Sequence, residues 1–433
     1  CEEVYLNGAS MPKDQKLQSG IIVMDYQGRV LATVGRRGEK TQNRAWNNAI
    51  DAGRQPGSAI KPISVYSYAV ENNIVDWSTL IEDEPIELNG QKWPRNVYGY
   101  YRGPIPTQKA LEISSNACAA QLALLNGMEN SFYFMRDKMH ISTAVEELII
   151  DGKNYTDINL STLATGGMTK GVTGIEMTAA FAVFGNNGKY YEPYSYYKVT
   201  DSEGNVLLDN TNVTYEQVIS PASAGVMNKL LQSIVTGYEG TASLSRIPGW
   251  DIFGKTGTTS DEKDRWYIGG TPYCVASVWV GYEQQKKIPG YNHPAVPIWK
   301  EIMTKYLADK PKITYPLTDI EQHSYCVESG GFATENCPED QVKVGWFKKN
   351  SIVQPCEIHD GSETSSEESS SDVTSEESGS SSTASETSSS SSQSSTSSAS
   401  SDSSSQLPSS SQNPITSTPS SSNSNTASQD DAA

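Results

Sequence analysis

Phe253-Gly254-Lys255-Thr256-Gly257-Thr258-Thr259 decides how this chain is read, because two earlier segments answer it. Gly53-Arg54-Gln55-Pro56-Gly57-Ser58-Ala59-Ile60-Lys61 carries an S-x-x-K at Ser58 and Lys61. Ala110-Leu111-Glu112-Ile113-Ser114-Ser115-Asn116 carries an S-x-N at Ser114 and Asn116. Each motif alone is common. A serine and an asparagine near a helix start are usually a cap, and a lone K-T-G-T reads as a turn and strand. In this order the three read as one active site for acyl transfer through a serine ester.

The chemistry accounts for the residue types. A serine hydroxyl is a poor nucleophile until a base takes its proton. Ser58 and Lys61 are three apart, so on a helix they share a face. A lysine serves as base near neutral pH only if burial or a nearby positive charge lowers its pKa, and Lys255 is a candidate for that charge. Pro56 and Gly57 read as a turn feeding a helix start, whose free N–H groups face a forming oxyanion. Thr256 and Thr258 offer hydroxyls to a substrate carboxylate, and Lys255 offers charge. Gly257 lets the strand backbone approach substrate closely. Ser114 relays a proton and Asn116 holds the acyl amide.

Around these motifs the pattern predicts an α+β fold. Gly20–Asp25 and Arg29–Val34 read as a hairpin of two apolar strands. Gly57–Asn72 reads as a helix with a stripe of Ala59, Ile60, Ile63, Tyr66, Ala69 and Val70. Leu111–Leu125 and Ile175–Phe184 read as buried, alanine-rich helices. Asp251–Thr256 reads as a strand, Arg265–Gly269 and Val275–Gly281 as a second hairpin, and Ile298–Tyr306 as a closing helix. An antiparallel sheet is therefore expected from both ends of the domain, flanked by helices, with an all-helical subdomain inserted between.

The chain resembles the transpeptidase domain of a class A, bifunctional penicillin-binding protein of clostridial type. The three motifs and their flanks carry the likeness, with Gly166-Gly167-Met168-Thr169-Lys170-Gly171-Val172-Thr173 and Trp279-Val280-Gly281-Tyr282. The resemblance runs from about residue 18 to about residue 307. It implies the fold shared by serine β-lactamases and penicillin-binding proteins, with Ser58 acylated, Lys61 its base and Lys255 the carboxylate anchor. It implies D,D-transpeptidation of peptidoglycan stem peptides ending in D-Ala-D-Ala, acylation by β-lactams, and no metal or organic cofactor. It also implies work at the cell wall, on the extracytoplasmic face of the bacterial membrane. Membrane attachment and a glycosyltransferase would belong to a part of a parent protein preceding Cys1; the rival reading of Cys1 is a lipidated first residue. The implied boundaries are 1–17 for the end of an interdomain linker, 18–310 for the transpeptidase domain, 311–360 for a cysteine-containing appendage and 361–433 for a tail.

Three rivals share the acyl-enzyme. A D,D-carboxypeptidase uses water as acceptor, and a β-lactam sensor signals once acylated. A class A β-lactamase would carry an E-x-x-x-N beyond the S-x-N motif to activate water. Between Ala117 and Lys255 no such pattern occurs, so slow deacylation is expected.

Composition narrows the classes further. The 433 residues carry a formal net charge of −18. The serine-dominated tail holds ten acids and no Lys or Arg, which leaves −8 for residues 1–360. With almost no large apolar side chains, that tail is expected to stay disordered, as a spacer or a dispensable end. No basic stripe suggests nucleic acid, and no apolar run is long enough to span a membrane. Of six cysteines, Cys118 and Cys274 sit in apolar contexts and read as core. Cys326, Cys337 and Cys356 crowd the appendage, with His359 completing a C-x-x-H. A disulfide such as Cys326–Cys337 is the leading expectation, with free thiols and a Cys3His metal site as alternatives.

Overall fold

The structure, a computed structural model, describes residues 13–14, 16–38, 43–290 and 293–359, together with Cys1 and Gly361. The expected linker falls mostly outside these residues, and the tail, Gly361 apart, falls wholly outside them.

Five antiparallel strands form the main sheet. They are β1 (Leu17–Asp25), β2 (Val30–Val34), β3 (Phe253–Thr258), β4 (Asp264–Thr271) and β5 (Cys274–Tyr282). Their order is β3-β4-β5-β1-β2, so the first hairpin joins the second through β1 and β5. The sheet thus unites both ends of the domain. Every residue of β4 and β5 is buried, because helices cover both faces. Ser277 of β5 meets one helix: its hydroxyl accepts from Thr178 and donates to the Gly174 carbonyl in α3 (Gly174–Ala182). On the opposite face, Trp299 of α5 (Ala295–Leu307) lies against Gly269 and donates to the Gly269 and Ala276 carbonyls. Alternation of side chains along a strand makes these faces distinct. Thr173 and Glu176 close a reciprocal capping box that starts α3.

The helical part lies between β2 and β3, with α1 (Asn116–Asn126), α2 (Leu160–Thr165) and α4 (Pro221–Thr236). Two local expectations need correction. The helix read over Leu111–Leu125 is broken: one helix ends at Glu112, Ser114 adopts φ +59°, and α1 starts afresh at Asn116. Ser115 caps α1 by accepting from the Cys118 N–H at 3.0 Å. The segment over 57–72 is helical but not uniform. It opens with a tight turn at Gly57–Ile60, widens over Pro62–Tyr66 and becomes α-helical only at Ser67–Glu71.

Beyond α5, strands β6 (Ile320–Cys326) and β7 (Val342–Lys348) pair as a hairpin. It packs on the domain. Lys348 Nζ donates to the Val70 carbonyl, Ser78 Oγ to that of Gly330, and Lys229 sits 4.6 Å from the Trp346 ring centroid. Cys118 and Cys274 are buried as read. None of the six cysteines is in a disulfide, so the Cys326–Cys337 bridge is not formed. The three cysteines of the appendage instead converge on His359.

Candidate active site

The turn that carries Ser58 is gripped from two sides. Gly57 has φ +54°, and a Cβ there would lie 2.4 Å from the Thr258 carbonyl oxygen of β3. Across the turn, a Cβ on Gly166 would lie 2.3 Å from the Gly57 carbonyl oxygen. The Trp266 indole N–H donates to the Gln55 carbonyl at 3.0 Å, fixing the approach to the turn. Gly257 plays a different part from the one expected. Its missing Cβ would lie 2.1 Å from the Pro56 carbonyl oxygen and 2.8 Å from the Ala59 Cβ. The close approach is thus between β3 and the turn that carries Ser58. Gly257→Ala should cost about 1–3 kcal/mol of overpacking and slow acylation about tenfold or more, because the displaced turn carries Ser58. Thermal melts and penicillin acylation rates check both numbers.

The three motifs meet at one cleft of about 880 Å³, lined by Ser58, Ser114, Asn116, Thr256 and Thr258 among others. Lys61 and Lys255 lie behind this lining, both fully buried. The Lys61 ammonium donates to the Ser114 carbonyl at 2.8 Å, the Ser115 carbonyl at 3.0 Å and Asn116 Oδ1 at 2.6 Å. Lys255 donates to Ser114 Oγ at 2.8 Å and to the Thr256 carbonyl at 3.1 Å. Ser114 therefore joins the two lysines, one through its carbonyl and one through its hydroxyl. Its left-handed backbone is what turns both oxygens inward, at a cost of order 1 kcal/mol.

Burial, then the charge of Lys255, pushes the Lys61 pKa well below its ordinary value. Burial alone brings Lys255 down to about 7. The free enzyme thus holds Lys255 near its midpoint at neutral pH. The protonated fraction falls as pH rises through about 7. If Lys255 is the carboxylate anchor expected from the sequence, acylation by a carboxylate-bearing penicillin should lose its anchoring advantage above neutrality. Comparing pH profiles of kcat/KM for carboxylate-bearing and carboxylate-free acyl donors checks it; parallel profiles would refute the role.

Several site residues were invisible in the sequence. Thr241 Oγ1 accepts from Thr256 Oγ1 at 3.1 Å, and Arg265 donates to Thr258 Oγ1 at 3.1 Å. Arg265 faces Thr258 across the β3–β4 pair, so the hairpin register was the one available signal. His293 Nε2 lies 3.2 Å from the Gly257 carbonyl oxygen, and burial lowers its pKa to about 4, which keeps it neutral. Asn116 is fixed from two further directions. Its Nδ2 donates to the Arg95 carbonyl at 2.8 Å, and its backbone N–H to Asn96 Oδ1 at 2.9 Å.

Asp83 is the hidden hub. Fully buried, it accepts from Ser115 Oγ at 2.5 Å, Asn96 Nδ2 at 2.8 Å, Tyr98 at 2.8 Å and the Arg102 backbone N–H at 3.1 Å. It ties the S-x-N motif to the loop forming one wall of the cleft. Asp83→Ala would orphan several buried donors, at about 1–3 kcal/mol each. A marked fall in Tm, with slower acylation of the surviving folded protein, is expected from calorimetry and labelling.

Among the described residues, the carboxylates that line the cleft are already paired. Glu239 is paired with Arg102 and Lys109, and Glu262 with Arg265 and Lys287. The buried Asp157, near the Gly166 turn, is spent on Val145, Thr162 and Thr169.

Ser58, two buried lysines and the K-T-G strand meet at this sheet, and the family comparison gives the class. Residues 19–304 match the penicillin binding protein transpeptidase domain, and the chain belongs to that family. Penicillin-binding protein 1A of Clostridium acetobutylicum is 35% identical over 300 residues, covering 66% of this chain and 35% of that relative. The chain thus spans about a third of the length of such relatives. Penicillin-binding protein 1A from Haemophilus influenzae superposes with a TM-score of 0.65 at 22% identity, over 79% of this chain and 54% of that one. PonA1 from Mycobacterium tuberculosis, solved in complex with penicillin V, gives a TM-score of 0.59 at 25% identity, over 73% and 83%.

Proposed function

We propose that this chain is a serine D,D-transpeptidase that cross-links peptidoglycan stem peptides through an ester on Ser58. The observation that carries the reading is the pair of buried lysines joined by Ser114 behind the cleft that Ser58 lines. Ser58 Oγ attacks the carbonyl between the two terminal D-alanines as Lys61, deprotonated by its surroundings, takes the hydroxyl proton. To do so Lys61 must release one of its three present acceptors. Backbone N–H groups of Ser58 and Thr258 receive the oxyanion. Lys255, Thr256 and Thr258 bind the terminal carboxylate, with Arg265 adding charge behind Thr258. Ser114, whose oxygen accepts from Lys255, passes its own proton to the leaving amine and is refilled by the proton that Lys61 took from Ser58, so no alkoxide is left. The C–N bond breaks and D-alanine departs. The amine of a second stem then attacks the ester, forms the new amide and returns the proton and Ser58. Electrons and protons balance without a cofactor.

Strand β3 is the edge of the sheet, which suits an extended peptide laid beside it. β-Lactams would follow the same path and stop at the ester. The expected setting is the extracytoplasmic face of the bacterial membrane, reached through a membrane-anchored parent with a glycosyltransferase. Among the described residues no helix is long and apolar enough to cross a membrane.

The test is a donor peptide ending in D-Ala-D-Ala with an amine acceptor. Release of one D-alanine for each cross-linked product, with no reaction of the L-Ala-ended donor, is the expected result. D-Alanine release without cross-linked product at any acceptor concentration would make the chain a carboxypeptidase.

A further inference from the structure

The appendage holds a second constellation, unrelated to acyl transfer and beyond the family match, which ends at residue 304. The Sγ atoms of Cys326, Cys337 and Cys356 and a ring nitrogen of His359 all lie within 4.8 Å of one another. Cys326 ends β6, Cys337 follows the turn, and Cys356 and His359 lie on the segment after β7. All three thiols are buried, in a small cluster of their own with Ala333 and Val342 packed against it.

We infer that Cys326, Cys337, Cys356 and His359 form a structural zinc site that clasps the segment after β7 to the end of β6.

Distances favour a metal over a chance thiol cluster. His359 Nδ1 lies 3.6 Å from Cys326 Sγ and 3.4 Å from Cys356 Sγ. A tetrahedral zinc with Zn–S of about 2.3 Å and Zn–N of about 2.0–2.1 Å requires S···N separations of about 3.6 Å. The imidazole is oriented as a ligand. Its other nitrogen, Nε2, lies 3.3 Å from Glu328 Oε2, the carboxylate–histidine arrangement that fixes the tautomer of a metal-bound ring. The Thr334 N–H points at Cys337 Sγ at 3.3 Å, and the Thr334 hydroxyl lies 3.5 Å from the same sulfur and donates to the His359 carbonyl. The backbone N–H is a donor that stabilises a thiolate, while the hydroxyl spends its proton on the His359 carbonyl.

A disulfide explains less. Any one bridge would leave a third buried thiol and an imidazole with its carboxylate unexplained. Four protein ligands and no open position also mark the site as structural, and three thiolates with one imidazole select zinc over harder cations. On binding, the thiols release three protons to solvent and His359 coordinates as neutral imidazole through Nδ1. The clasp ties β6 to the 351–359 strap, and the hairpin to the Val70–Leu80 region on which Lys348 and Gly330 rest.

The test uses the full chain purified under reducing conditions. Elemental analysis should find one zinc per chain, and cobalt(II) added to chelator-stripped protein should give the visible absorption of tetrahedral thiolate–cobalt. Cys356→Ser and His359→Ala should each lose the ion, whereas Cys1→Ser should keep it. If the cluster variants fail to fold, chelation of the wild type decides: three thiols should become reactive as one zinc leaves. Protein that neither contains nor takes up zinc or cobalt would overturn the inference. So would a bridge among the three cysteines, seen as the loss of two hydrogens in the intact mass of protein secreted to an oxidising medium.

Discussion

Ser58→Ala is expected to abolish covalent penicillin labelling while leaving the melting temperature essentially unchanged. The ester needs an oxygen that the alanine lacks, so the loss is total for covalent product. Ser58 is half-buried on the cleft wall, and the grip on its turn comes from the backbones of Gly57, Thr258 and Gly166 rather than from its hydroxyl. Removing a hydroxyl from such a place costs within about 0.5 kcal/mol. Noncovalent binding should survive, since Lys255, Thr256 and Thr258 are untouched. Intact-mass spectrometry reads the first outcome and calorimetry the second. A variant that still gained the mass of the drug would move the nucleophile elsewhere.

Lys61→Ala is the second large effect. Losing a positioned base should slow acylation by about 10²–10⁴-fold. The variant also leaves a cavity and strips three oxygens of their donor: the carbonyls of Ser114 and Ser115 and Asn116 Oδ1. Some of the loss could then arise from a shifted S-x-N motif. Lys61→Met fills the space without supplying a base, so it removes the cavity's share of the loss, while the three orphaned oxygens are common to both variants. Stopped-flow acylation of both variants, with melting curves alongside, should show a comparable loss in each. In the wild type the depressed pKa of Lys61 means that the base form grows as pH rises, so acylation by a carboxylate-free donor should rise with pH. A Lys61→Met rate close to wild type would remove the lysine from the chemistry.

The three motifs were legible because their spacing is local or because each sits in an unmistakable element. Ser58 and Lys61 share one helical turn, and the K-T-G strand precedes an apolar hairpin. The sheet was legible for the same reason: β4 and β5 are largely apolar, with Trp266–Ile268 in one and Val275, Ala276 and Val278–Val280 in the other, and both are buried along their whole length. The break at Ser114 was not. Alanine-rich flanks favour one helix across Leu111–Leu125, but the first helix closes on a left-handed Ser114, whose N–H bonds the Leu111 carbonyl while the Ser115 N–H bonds that of Ala110, and the two lysines then hold both oxygens of Ser114. Asp83 and Asn96 were illegible because they reach the S-x-N motif from separate loops with no pattern of their own. Gly257 was read with the right reason and the wrong neighbour: the backbone that comes close is that of Pro56. The cysteine cluster was half legible. Its residue types were plain, but their irregular spacing hid a convergence that the β6–β7 hairpin supplies.

The most direct measurement is a time course of the wild-type chain with a labelled penicillin, followed by peptide mapping. The account predicts one label per chain, on the peptide containing Ser58, in an ester that persists because the Glu239, Glu262 and Asp157 carboxylates are all committed elsewhere. Label on any other residue would contradict it. So would a rapid return to the unmodified mass with many equivalents of drug consumed.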